Sequence, residues 1–114
     1  MITDEKRAFK RVKKKFSVRY CERENGRASS GSAVSENISL GGVFFISIES
    51  FDIGCVLDCR IKIPGREEEC VCVGRVVRCQ ELEDKMVKTY GVAVEFIEYL
   101  GNGKKFLKGA LKDA

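Results

Sequence analysis

The sequence contains no histidine and no tryptophan, and it has a single proline in 114 residues. Without histidine the chain lacks the commonest general base near neutral pH, the commonest metal ligand and every Ser/His or Cys/His nucleophile pair. No catalytic residue is assigned, and an enzyme is not expected. No apolar run approaches the roughly 20 residues that a membrane helix needs, so membrane insertion is not expected either. The opening segment MITDEKRAFKRVKKKF is basic but leads into no apolar stretch. It therefore does not read as a secretory signal, and the expected location is cytoplasmic. The length suits one domain, with enough apolar material for one small core.

Six cysteines are present: Cys21, Cys55, Cys59, Cys70, Cys72 and Cys79. A disulfide framework would call for an oxidising compartment that nothing here suggests. The spacings lack the Cys-x2-Cys pairs of most structural zinc sites, so no metal ligand and no cofactor is assigned. Cys55 and Cys59 share the apolar parity of CVLDCRIKI, which predicts small buried hydrophobes.

Charge is distributed unevenly. Residues 1–15 hold seven basic and two acidic side chains, a net of +5, while the other 99 residues sum to −1. A basic arm on a nearly neutral body points to an anionic partner or to a solvated tail. The expected division is a basic arm over 1–15 and a single β-domain with a terminal helix over 16–114.

From Phe16 onward the chain alternates apolar and polar residues in short segments broken by turn signals, which predicts an all-β barrel or sandwich of about six strands. FSVRY puts Phe16, Val18 and Tyr20 on one face. Asn25-Gly26 is the strongest short hairpin signal, and RASSGSAVSENIS is the returning strand. GGVFFISIES, CVLDCRIKI, a stretch from Glu68 to Cys79 and TYGVAVEF supply the others. Gly74 predicts a bulge or bend. In KKFLKGALK, Phe106 with Ala110 and Leu107 with Leu111 pair at i, i+4, which predicts a short amphipathic helix.

Two clusters carry chemistry. Arg7 and Arg11 form an RxxxR, a spacing that puts both side chains on one face in a helix or an extended chain. Arginine's planar fork of donors fits a phosphate or the O6/N7 edge of guanine bidentately. Asn37-Ile-Ser39-Leu-Gly41-Gly42 alternates Asn37 and Ser39 on one face of a predicted strand, with Ile38 and Leu40 on the other. The glycines suit either a close approach or a positive φ. Alone, this segment also reads as a turn whose Asn and Ser bond their own backbone.

Together, Arg7 to Arg11, 25 intervening residues and Asn37-x-Ser39-x-x-Gly42 resemble the two-part signature of the PilZ domain family, RxxxR followed after one hairpin by (D/N)xSxxG. Gly74-Arg75-Val76-Val77-Arg78 and Tyr90 to Phe96 are similar to that family's later barrel strands. The resemblance implies a six-stranded antiparallel β-barrel of PilZ type that receives cyclic di-GMP, two GMP units joined in a ring by two phosphodiesters. It assigns Arg7 and Arg11 as the clamp on guanine and phosphate, Asn37 and Ser39 as the hydrogen-bonding platform, and Gly42 as the close approach or turn. Lys6 and Gly41 are secondary candidates, and a basic Lys6 is expected to favour a stacked pair of ligands. With few apolar residues, the arm is expected to order on the ligand and signal to a separate effector protein. The alternative is a PilZ-like interaction module that binds no nucleotide. Nucleic acid is the least favoured partner, because the aromatics lie mostly on apolar parities.

Overall fold

The computed structural model describes residues 15–23, 30–83 and 86–112. Six strands and one helix follow in order: β1 (Ser17–Glu22), β2 (Ser30–Ile38), β3 (Gly42–Ser47), β4 (Val56–Lys62), β5 (Glu69–Leu82), β6 (Thr89–Leu100) and α1 (Gly103–Lys112). Each strand pairs antiparallel with its neighbours, and β4 pairs back onto β1, closing a barrel in the order β1-β2-β3-β6-β5-β4. Closure removes the free strand edges that would otherwise template aggregation. The expected strands and helix are all present. β5 and β6 run further than expected, to Leu82 and Leu100, pairing with each other along most of their length. The Asn25-Gly26 turn lies outside the described residues, although the hairpin it was expected to make is there: β1 pairs with β2 from Ser17↔Val34 to Cys21↔Ser30.

Period-two alternation explains the interior. Phe16, Val18 and Tyr20 point inward, as do Leu57, Cys59, Ile61 and Ile63, and Cys70, Cys72 and Val76 from β5. Tyr20 stacks on Phe45 with ring centroids 5.3 Å apart and meets Phe51 edge-on at 5.4 Å. Its hydroxyl lies 3.3 Å from Ser47 Oγ, which gives the phenol a polar partner inside the barrel. Cys59 is fully buried as expected, whereas Cys55 is half-buried and donates to Glu22 Oε2. Cys72 sits opposite Cys59 on the ladder. Hydrogen bonding with Cys59 and Cys70, then burial, push its thiol far above the ordinary range. It is an inert core residue rather than a nucleophile.

Three bulges depart from plain alternation. Ser35 pairs with Phe45 and Asn37 with Phe44, leaving Glu36 as an extra residue on β2. Ile97 is the extra residue on β6 opposite Val73 and Gly74, and Val77 is the extra residue on β5. The bend expected at Gly74 is therefore a bulge in its partner strand. Each bulge resets which residues face inward. Ser35 and Ile38 are both fully buried although three positions apart.

At the end of the chain, Gly101 adopts a φ of 56°, the left-handed turn from β6 into α1. Phe106 N–H donates to Asn102 O at 3.0 Å and opens the helix. Leu107 and Ala110 join the barrel core, and α1 lies against β5 and β6.

Candidate nucleotide-binding site

β2 ends at Ile38, so the strand stops before Ser39. This corrects the expectation that Asn37 and Ser39 present side by side on one strand face. Ile38 does point into the core, opposite to Asn37, but Ser39 already belongs to a tight turn and is only 7% exposed. Ser39 N–H donates to Gly42 O at 2.9 Å, and Ser39 Oγ accepts from Gly41 N–H at 3.0 Å. The serine thus satisfies the turn with one lone pair and keeps its hydroxyl proton to donate elsewhere. Asn37 is half-buried, and among the described residues its carboxamide has no hydrogen-bond partner. One amide able to donate and accept therefore stands beside one hydroxyl held by its own turn.

Gly42 is explained by approach rather than by φ. Neither Gly41 nor Gly42 has a positive φ. A Cβ on Gly42 would run into the Val94 carbonyl oxygen of β6 and come within 3.3 Å of Glu95 Cα. Only hydrogen fits there, so Gly42 lets β3 close onto β6 at the edge of the turn. Gly41 O then accepts from Phe96 N–H at 2.9 Å, tying the turn to β6.

Tyr99 was not foreseen from the sequence. Its hydroxyl donates to Leu40 O at 2.6 Å, gripping the middle of the turn from the far end of β6. Burial, aided by Cys70 and Cys72, raises its phenol pKa, so the donor proton is retained well beyond neutral pH. Its ring meets Phe96 edge-on at 5.7 Å. A tyrosine late in a strand, behind a bulge, carries no sequence mark of such a role.

The chain enters the barrel beside this turn. Phe16 N–H donates to the buried Ser35 Oγ at 2.9 Å, and Ser35 N–H returns a bond to Phe16 O at 2.8 Å. Lys15 pairs with Glu36, next to Asn37. Lys6, Arg7 and Arg11 lie outside the described residues, and so does all but the last residue of the arm assigned to 1–15. Of the expected site residues, Asn37, Ser39, Gly41 and Gly42 are brought together where β2 turns into β3. Among the described residues no helix is long and apolar enough to cross a membrane, and no cluster suited to a metal ion occurs.

Comparison with known proteins agrees with this architecture. The inhibitor of motility MotI/DgrA from Bacillus subtilis is 20% identical, with a TM-score of 0.73 over 95% of this chain and 51% of that one. The K. pneumonia MrkH–c-di-GMP complex is 12% identical, with a TM-score of 0.72 over 95% of this chain and 52% of that one. The chain thus spans about half the length of both proteins. The PilZ domain of YcgR from Escherichia coli, solved with c-di-GMP, is 13% identical, with a TM-score of 0.58 over 90% of this chain and 86% of that one. Identities this low show a shared fold. No curated protein sequence matches the chain. The model of the PilZ domain matches residues 5–109, from before the RxxxR segment to within α1. Nearly the whole chain is covered, and the protein belongs to the PilZ domain family.

Proposed function

We propose that the protein is a receptor for cyclic di-GMP whose ligand lies on the barrel surface beside the Asn37–Gly42 turn, under a clamp made by Arg7 and Arg11. The observation that carries this reading is where the chain enters the barrel. Lys15 and Phe16 are fastened next to Glu36 and Asn37. Arg11 is four residues upstream of Lys15, at most about 14 Å of chain, and Arg7 is at most about 28 Å away. Both halves of the signature can therefore meet over one ligand. The ligand's two phosphates and two guanines match arginine in charge and in donor geometry. The Asn37 carboxamide and the Ser39 hydroxyl offer hydrogen bonds from below without adding negative charge.

Two further parts of the reading concern the arm. Ligand that bridges arm and barrel orders residues 1–15, and the rearranged surface is what a separate effector protein recognises. Slower amide exchange over 1–15 on adding ligand is the expected sign, and equal protection without ligand would exclude it. Lys6 adds positive charge suited to a stacked pair of ligands, so the expected stoichiometry is two per chain.

Calorimetric titration with cyclic di-GMP tests the central reading, with GTP and cyclic GMP as controls. The wild type is expected to bind at micromolar Kd or tighter, and Arg7→Ala/Arg11→Ala to show no heat of binding. A folded wild type that takes up no cyclic di-GMP would leave a nucleotide-free interaction module.

A further inference from the structure

The outer surface of the barrel continues beyond the turn. Ladder register aligns Asn37, Phe44, Ala93 and Arg78 as successive cross-strand partners on β2, β3, β6 and β5. Three strand steps of about 4.8 Å make this a floor about 14 Å wide. Phe44 is half-buried and lays its ring over Gly91, where a Cβ would lie 2.9 Å from Phe44 Cζ. Ala93 contributes only a methyl group. The result is a low surface with an aromatic ring in it, bounded by the Asn37 amide at one side and a guanidinium at the other.

A bulge brings that guanidinium to this face. Arg75 and Arg78 are three residues apart and would face opposite ways on an uninterrupted strand. The extra residue Val77 resets the parity, so Val76 is fully buried while both arginines are exposed. Among the described residues neither arginine has an ion-pair or hydrogen-bond partner. In the adjacent row Gly42, Glu95 and Arg75 follow one another across β3, β6 and β5. Arg75 is thus the cross-strand neighbour of Glu95, whereas Arg78 stands opposite Ala93, which carries no charge. Arg78 is left as surplus positive charge at the edge of the floor.

We propose that Arg78 is a ligand-contacting residue that closes the site opposite Asn37, taking a phosphate or a guanine edge of a nucleotide spread across Phe44 and Ala93. This rests on the cyclic di-GMP reading and names a third wall for that site, one that neither half of the signature contains. A guanidinium fork can bond phosphate bidentately or stack on a base, and lysine can do neither.

Titration and dissociation kinetics with cyclic di-GMP test it on the wild type, Arg78→Ala, Arg78→Lys and Arg19→Ala, each with its melting temperature measured. Arg19 lies on β1, opposite β6 in the ring of strands. Arg78→Ala is expected to bind roughly tenfold more weakly or worse and to release ligand faster, at unchanged melting temperature. Arg78→Lys should fall between it and the wild type, and Arg19→Ala should match the wild type. Wild-type binding with Arg78→Ala within twofold of it would overturn the assignment and leave the receptor reading standing. Full affinity in Arg78→Lys would reduce Arg78 to a diffuse positive charge and likewise overturn the contact. A wild type that does not bind would overturn both readings together.

Discussion

Two sides of the barrel carry arginines in different company. On β1 and β4, Arg19 and Arg60 face each other across the ladder and share Glu69 at 3.5 and 3.4 Å, while Arg23 holds Asp58 at 2.6 Å. Like charges placed directly opposite repel, and Glu69 relieves that repulsion locally. On β5 toward β6, Arg75 and Arg78 have no such partner among the described residues, and they border a floor of small residues and one aromatic ring. On the first face each of these arginines has a carboxylate partner. The second keeps hydrogen-bonding and charge capacity in hand: the Asn37 amide, the Ser39 hydroxyl and the Arg78 guanidinium.

The largest test of this contrast is removal of the clamp. Each charge-assisted contact is worth about 1.5–3 kcal/mol, so Arg7→Ala/Arg11→Ala should weaken cyclic di-GMP binding more than about a hundredfold while leaving the melting temperature in place. Next is Gly42→Val. The new side chain would have to displace the Val94 backbone, and overpacking of this kind costs about 1–3 kcal/mol. Thermal unfolding should drop by several degrees, and ligand affinity should fall with it. Tyr99→Phe removes one hydrogen bond to Leu40 O and should cost about 1 kcal/mol. Its expected signature is a shift in the Gly41 and Gly42 amide resonances with a few-fold loss of affinity. Smallest are Arg19→Ala and Arg60→Ala. Exposed ion pairs are worth about 0–1 kcal/mol, and calorimetry should find ligand binding unchanged. A large binding defect in either would erase the distinction between the two faces.

Much of this was legible in the sequence, for one reason: in β1 and β4 alternation alone decides which side faces the core, and FSVRY and CVLDCRIKI obey it. The second motif was legible as residue types, since Asn, Ser and two glycines at that spacing leave few structural options. What alternation could not reveal were the bulges at Glu36 and Val77, because an inserted residue reverses parity without marking the sequence, whereas the bulge at Ile97 was marked only by Gly74 on the partner strand. The β2 bulge explains how Ser35 and Ile38 both point inward, and why Asn37 points out. The β5 bulge is why Arg78 shares a face with Arg75. Tyr99 and Leu40 are 59 positions apart, and only the closed barrel brings them together. Ser35 reads as one of several small polar residues in a plain strand, yet it anchors the point where the basic arm joins the barrel.

The most direct test of the two-face account is a titration of the isotopically labelled protein with cyclic di-GMP, followed by backbone amide resonances. Saturable shifts are expected at Asn37 to Gly42, Phe44, Ala93 and Arg78, with Arg19, Arg60 and Asp58 unmoved. Shifts centred on β1 and β4, or none at any ligand concentration, would contradict it.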